Sequence, residues 1–100
     1  MDLAELTDEL RRRAGQNVKL GYKVKFILDE GVIFWDGTEQ SPAISNDDAG
    51  DATTTIKITA ANLEKLMAGG LDPTLAYMTG KLKVEGSMGV ALKLTSMFAD

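Results

Sequence analysis

The segment from Asp72 to Phe98, which reads DPTLAYMTGKLKVEGSMGVALKLTSMF, constrains the fold of this chain more than any other part. Its pattern predicts a short helix, a strand, a Gly-Ser turn and a terminal helix. A helix that packs on one surface needs a single apolar stripe. The predicted terminal helix is apolar on nearly every side, through Met88, Val90, Ala91, Leu92, Leu94, Met97, Phe98 and Ala99. Its additional apolar surface must therefore be enclosed or must face a hydrophobic partner.

The composition excludes most of the familiar enzyme chemistries. The chain of 100 residues is expected to form one domain, residues 1–100, and contains no cysteine and no histidine. Cysteine-ligated zinc, thiolate catalysis and the commonest general base are thereby excluded. We therefore expect a protein that is not an enzyme and that holds no metal or cofactor. The net charge of −4 argues against a nucleic-acid partner.

The N-terminal sequence MDLAELTDEL is acidic and periodic, unlike a signal peptide. No apolar run approaches the roughly 18 residues of a membrane span. We therefore expect a cytoplasmic protein with no integral membrane association, although transient membrane contact is compatible with its sequence. A monomer or a weak dimer is expected.

Local signals predict the order of helices and strands. Asp2 and Glu5 have the spacing of a capping box, which begins a helix carrying Leu3, Leu6 and Leu10 on one face. Alternating apolar residues predict a strand from Leu20 to Leu28, followed by a turn and a returning strand from Val32 to Trp35. Short strands are predicted over 41–45 and 53–59. The fold class is α+β, with a mostly antiparallel sheet.

Helix signals follow in the second half. Thr59 is placed to cap a helix that ends at Gly69-Gly70, and Asp72-Pro73 begins the next one. Leu82 and Val84 alternate with lysines in the last strand, and Ser87 is placed to cap the terminal helix. Neither the acidic loop 46–51 nor the glycines near Gly80 match a calcium or phosphate-binding motif.

Six lysines share the non-core faces of the predicted strands. If these strands adjoin, the lysines form a basic face on an acidic protein, and two interpretations stay open. The face is either a solvated surface whose lysines protect sheet edges, or a docking surface for anionic head groups or an acidic partner. The six are Lys19, Lys23, Lys25, Lys57, Lys81 and Lys83.

Methionines are concentrated near the C-terminus. Met67, Met78, Met88 and Met97 fall within the last 34 residues, together with Tyr77. Methionine is flexible and suits surfaces that adapt to varied ligands. Ordinary core packing explains the same pattern, and by itself this pattern favours core packing.

The stretch LDPTLAYMTGKLKVEGSMGVALKL resembles the sterol carrier protein 2 family of sterol-transfer and lipid-transfer domains. The resemblance rests on Gly70-Leu71-Asp72-Pro73, on Tyr77, on 80–84 and on the Gly-Ser-Met-Gly turn at 86–89. The upstream order of elements agrees with the family fold. A compact chain of this kind is similar to stand-alone bacterial members.

The resemblance implies a five-stranded sheet with helices packed on one face, enclosing a hydrophobic tunnel. The family's ligands include fatty acids, acyl-CoA, phospholipids and sterols. The residues expected at the tunnel, by matching position, by facing or by their place on these elements, are Ile56, Ile58, Leu63, Leu66, Met67, Tyr77, Met78, Leu82, Val84, Met88, Leu92 and Phe98.

The leading hypothesis is a non-catalytic carrier that binds and transfers long-chain lipids or acyl-CoA. The alternative is a closed accessory domain that mediates protein–protein interaction without a lipid ligand. Binding of an acyl chain by the purified protein would distinguish the two.

Overall fold

The computed structural model describes residues 2–14, 21–38, 43–48 and 50–98, except for the side chains of residues 14 and 95–98. Within these residues, four helices and five strands follow one another along the chain. In chain order they are α1 (Leu3–Ala14), β1 (Lys23–Leu28), β2 (Gly31–Asp36), β3 (Ala43–Ser45), β4 (Thr54–Ile58), α2 (Ala60–Met67), α3 (Pro73–Met78), β5 (Leu82–Gly86) and α4 (Met88–Phe98).

Helix α1 begins with the predicted capping box. The Glu5 amide donates to the Asp2 carboxylate at 2.8 Å, and the Asp2 amide donates to the Glu5 carboxylate at 3.1 Å. Leu6 and Leu10 are fully buried on the inner face of this helix. The Arg11 guanidinium donates to the Ile44 carbonyl at 2.9 and 3.1 Å, which ties α1 to the β3 edge of the sheet.

The strands form one sheet in the order β3-β2-β1-β4-β5. The neighbours pair antiparallel except β1 and β4, which are parallel. The predicted α+β class and the mostly antiparallel sheet are confirmed. In the chain, β2 and β3 come between β1 and β4, and both lie on one side of β1 in the sheet. The chain then crosses to the other side of β1, where β4 runs in the same direction as β1.

All four helices pack on one face of the sheet, here called the core face. Its central residues are Phe26, opposite Ile33 and Ile56, and Val24, opposite Trp35. Alternation along each strand places the intervening residues on the opposite face, here called the outer face. Among them are Lys25, Phe34, Lys57 and Lys83.

The segment that connects β3 to β4 crosses part of the outer face. The Lys25 ammonium lies 2.7 Å from the Asp48 carboxylate, which holds the segment beside Phe34. Phe34 is only 5% exposed although it faces away from the helices. The sheet is therefore covered on both sides at Phe34, in agreement with the apolar run from Val32 to Trp35.

The first strand is shorter than predicted. Leu20 lies outside the described residues, and Tyr22 precedes β1 with 37% of its surface exposed. Gly21 has φ of +85°, a conformation that bends the chain just before the strand. Tyr22, which the predicted strand included, therefore lies outside β1, because the strand begins only at Lys23.

The predicted helix caps are present in the second half of the chain. The Thr59 hydroxyl accepts from the Asn62 amide, and the Asp72 carboxylate accepts from the Thr74 and Leu75 amides. Ser87 accepts from the Val90 amide at 3.3 Å. These caps satisfy amides that have no partner inside the helix.

The junction between β5 and α4 is held against β4. The buried Thr54 hydroxyl contacts the Glu85 carbonyl at 3.2 Å and the Ser87 carbonyl at 2.9 Å. Gly86 between them has φ of +94°, and a Cβ atom placed there would lie 2.5 Å from the Thr53 carbonyl oxygen. Only glycine fits this position, and it fixes the direction in which α4 leaves the sheet.

We predict opposite effects for two neighbouring glycines. Gly86→Ala should lower the free energy of unfolding by about 2 kcal/mol or more, because alanine meets both the left-handed backbone and the Thr53 carbonyl. Gly89→Ala should raise it by up to about 1 kcal/mol, because a Cβ atom at this helical position meets only the Ser87 hydroxyl, at 4.0 Å. Urea denaturation of both variants measures the difference, and equal effects would contradict this account of the turn.

Candidate functional site

Half of the predicted tunnel residues come together in the layer between the sheet and the helices. Each of these six is at most 5% exposed, and all belong to one hydrophobic cluster. Val84 is half-buried and packs against the same cluster. The six are Ile56, Ile58, Leu63, Leu66, Met67 and Leu82.

Helix α4 covers this layer with one of its faces. Val90, Ala91 and Leu94 are buried, whereas Leu92 points outward with 41% of its surface exposed. Met88, at the first position, is half-buried. Phe98 ends the helix, and its side chain lies outside the described part of the chain. The inner surface of α4 is therefore made mainly by residues other than those predicted for the tunnel.

Helix α3 buries only Ala76. Tyr77 and Met78 are 44% and 73% exposed, and Leu75 is 58% exposed. In this arrangement Tyr77, Met78 and Leu92 do not join the buried cluster. They could contact an interior ligand only after a change in the position of their helices, and their assignment to the site stays a prediction.

Helical spacing identifies the inner residues of α4 that were not predicted for the tunnel. Val90, Ala91 and Leu94 are separated by one, three and four positions, which places them on one face, with Leu92 roughly opposite. The signal that was available is the position of the residues without a large apolar side chain. They fall on the same side of the helix as Leu92, and they are Gly89, Lys93, Thr95 and Ser96.

The described side chains of the inner layer pack against one another. A cleft of about 330 Å³ lies elsewhere, where the ends of β1 and β4 meet the start of β5. Its walls combine apolar and cationic side chains, namely Ile27, Leu28, Ile58, Lys57, Lys81 and Lys83, together with Thr59 and Gly80. The cleft can accommodate a small anionic group, and it shares only Ile58 with the predicted tunnel.

Three described carboxyls depart from their ordinary pKa, and all three are shifted downward. Hydrogen bonding to Arg12 lowers the pKa of Glu9, and the Lys25 ammonium lowers that of Asp48. The Thr38 hydroxyl and amide lower the pKa of Asp36. These groups stay ionised at neutral pH, as expected for surface ion pairs and turns rather than for a general acid.

Two negative findings apply to the residues that the structure describes. Among them, no three His, Cys, Asp or Glu side chains converge as a metal site would require. Within the same residues, no helix has both the length and the apolar character needed to cross a bilayer. What the arrangement offers chemically is apolar burial in the inner layer and cationic contact at the cleft.

Two comparisons identify relatives in sequence. This chain is 44% identical to hydroxysteroid dehydrogenase-like protein 2 of Xenopus laevis over 49 residues, which make up 49% of this chain. Over 57 residues, 57% of this chain, it is 40% identical to sterol carrier protein 2 of Gallus gallus. The matched parts span only 12% and 10% of those proteins, so each relative is far longer than the matched segment.

A comparison of structures extends the likeness to the whole fold. Palmitated SCP2L2 from Aedes aegypti superimposes with a TM-score of 0.74, covering 100% of this chain and 96% of that one at 16% identity. The sequence profile of the SCP-2 sterol transfer family matches residues 5–99. This match covers nearly the whole chain, and it agrees with the predicted fold and with the shared architecture. The chain therefore belongs to the SCP-2 sterol transfer family.

Proposed function

We propose that this protein is a non-catalytic carrier that binds a hydrophobic lipid between the sheet and helices α2 and α4. Fatty acid, fatty acyl-CoA, phospholipid and sterol-like molecules are the ligand classes. The observation that carries the proposal is the continuous apolar layer formed by the core face and these two helices, in a chain that belongs to a sterol-transfer family. Burial of apolar surface is the driving force such a layer can supply.

The comparisons support a lipid ligand in general terms. The structural neighbour from Aedes aegypti is described as palmitated, and the Gallus gallus relative carries the name sterol carrier protein 2. At 16% identity the neighbour is evidence for the fold alone. The extension of lipid binding to this chain is therefore our inference.

The described side chains of the inner layer pack against one another, and we propose that a ligand enters when one element moves. We propose that α4 is this element, because it covers the layer through Val90, Ala91 and Leu94 and joins the sheet at Gly86. The buried predicted residues, with Val84, would then form the walls of an apolar tunnel. Met88 and Phe98 would lie along the moving helix, and Tyr77, Met78 and Leu92 near its mouth.

We predict a steep dependence of affinity on acyl chain length. Each methylene removed from water contributes on the order of 0.8 kcal/mol, so shortening a fatty acid by two carbons should weaken binding by up to about 15-fold. Titration of delipidated protein with decanoate, laurate, myristate and palmitate measures this, with Trp35 as the fluorophore. Trp35 is the only tryptophan and is buried on the core face.

Native mass spectrometry of the same samples should show one fatty acid per protein. Binding that does not change with chain length would contradict burial of the acyl chain. Absence of binding for all four acids, sterols and acyl-CoA would overturn the carrier proposal.

We also predict that palmitate protects α4 selectively. In delipidated protein the amides of α4 should exchange with solvent faster than those of β1 and β4, because opening of α4 does not require unfolding of the sheet. Palmitate should slow exchange in α4, while exchange in α1 serves as the internal control. Hydrogen–deuterium exchange read by mass spectrometry tests this, and equal protection of α1 and α4 would contradict a local opening.

One observation favours the alternative of an accessory domain for protein–protein interaction. Leu75 and Met78 project from α3 into solvent, which is unusual for large apolar side chains without a partner. In that case the fatty acids would not bind, and the inner layer would be only a core.

A further inference from the structure

A row of neighbouring side chains crosses the outer face at one end of the sheet. Ile27 of β1 pairs in register with Lys57 of β4, and Lys57 pairs with Lys83 of β5. Like charges that are directly opposite each other destabilise a sheet, because their Cβ atoms lie only about 5 Å apart. Lys81 lies two positions before Lys83, and all three lysines line the cleft described above. Their ammonium groups can therefore converge on one ligand.

This group of lysines keeps most of its positive charge. The Glu85 carboxylate lies 2.9 Å from the Lys57 ammonium and offsets one of the three charges. Among the described residues, no carboxylate lies within ion-pair distance of Lys81 or Lys83, and none of those that line the cleft is acidic. The nearby Asp29 carboxylate accepts from the first amide of α2 at 2.8 Å. Three positive charges and one negative charge leave a net charge of +2 beside the cleft.

Protection of a sheet edge explains only part of this arrangement. Strand β5 is an edge strand, and lysines on an edge strand hinder pairing with another chain. Lys57 belongs to β4, which has a partner strand on each side, so its charge protects no edge. Edge protection also does not require one lysine opposite another, at a cost in stability. A negatively charged ligand between Lys57 and Lys83 accounts for both features.

The same cleft has an apolar wall. Ile27 lies beside Lys57 on the outer face with 36% of its surface exposed. Leu28 and Ile58, which belong to the buried cluster, also line the cleft. Its volume of about 330 Å³ is near the lower limit of small-molecule sites. The cleft therefore suits a compact molecule that joins an anionic group to a short apolar group.

We propose that this cleft binds a soluble phosphate monoester with a compact apolar substituent. Such a monoester carries nearly two negative charges at neutral pH and has three terminal oxygens. These properties match the net charge of the site and its three ammonium groups. The apolar substituent would lie against Ile27. The inference goes beyond the proposed lipid carriage, because the ligand would bind on the outer face and not in the inner layer.

A phosphate suits this site better than a carboxylate does. A carboxylate carries a single charge, and the planar fork of arginine is the group that recognises it most specifically. Among the described residues, no arginine lines the cleft. Lysine binds phosphate as a compact point charge. Three such charges on flexible side chains suit a dianion whose oxygens point in three directions.

The experiment is a titration of the ¹⁵N-labelled full chain with phenyl phosphate, followed by two-dimensional NMR. Phenyl phosphate should shift the amide signals of Ile27, Lys57 and Lys83, while the signals of α1 and α4 stay unchanged. Inorganic phosphate should bind at the same residues about 5-fold more weakly, because it buries no apolar surface against Ile27. Phenol, which lacks the charge, should not bind.

Variants separate the cationic part of the site from the apolar part. Lys81→Gln/Lys83→Gln should weaken binding of both phosphates by about 10-fold or more, because two charge-assisted hydrogen bonds are lost. Ile27→Thr keeps a β-branched side chain in the strand and should weaken only phenyl phosphate. The matched control, Lys65→Gln/Lys93→Gln, changes the net charge equally at exposed lysines of α2 and α4 and should bind like wild type.

Four results would overturn the proposal. They are equal losses in the two double variants, equal affinities for phenyl phosphate and inorganic phosphate, signal shifts confined to residues outside the cleft, and no binding of phenyl phosphate at millimolar concentration. Glycerol phosphate is the soluble analogue of a lipid head group. If it bound more tightly than phenyl phosphate, the proposal would be overturned in favour of a head-group site.

Palmitate titration of the same variants separates this site from lipid carriage. Lys81→Gln/Lys83→Gln should bind palmitate like wild type, because neither lysine belongs to the inner layer. Binding of phenyl phosphate without binding of palmitate would support the cleft and contradict lipid carriage. Binding of palmitate without binding of phenyl phosphate would overturn the cleft proposal alone.

Discussion

The structure depends on a sheet that is covered by helices on one face only. The core-face residues of five strands and the inner faces of four helices share a single cluster, centred on Phe26, Ile33 and Ile56. A two-layer arrangement of one sheet and one layer of helices concentrates nearly all apolar burial between them. The outer face must then be stabilised by other means. The segment after β3 covers one half with the Lys25–Asp48 ion pair, and charged side chains occupy the other half.

The two faces of the sheet therefore differ in chemistry: apolar side chains occupy the core face, and charged side chains occupy part of the outer face. Because side chains alternate along each strand, Ile56 and Ile58 face the helices while Lys57 between them faces outward. A ligand in the inner layer and a molecule bound at the cleft would therefore contact the same strand mostly through different side chains. Ile58 is the exception, since it belongs to the buried cluster and also borders the cleft.

The local features of this fold could be predicted because each depends on a few neighbouring residues. The Asp2–Glu5 capping box, the Asp72-Pro73 helix start and the turn at Gly86 are present as expected. The parallel pairing of β1 with β4 depends on contacts distant in sequence, and no local pattern specifies it. The cleft has the same origin, because β1, β4 and the start of β5 meet only after folding.

The candidate site was less predictable, because its helices are apolar on several sides. The apolar content of α4 identified it as important, but the prediction included Leu92, which is exposed, and not Leu94, which is buried. The resemblance to a family supplied the expectation of a tunnel and, by matching position, six of the twelve residues near it; the others were expected there by facing or by their place on the elements. Whether Tyr77 and Met78 act there stays a prediction, since both lie at the surface of this structure.

Energetics restrict how a packed core could also act as a carrier. Lifting α4 exposes Val90 and Leu94, at a cost of about 3–6 kcal/mol. Palmitate has 14 methylenes, and their burial contributes on the order of 11 kcal/mol. Association itself opposes binding by at least roughly 4 kcal/mol. With α4 left open, at most about 1–4 kcal/mol remains in favour of binding, which corresponds to weak affinity. Useful affinity therefore requires that α4 close again over the acyl chain, so that Val90 and Leu94 exchange contacts with the core for contacts with the ligand.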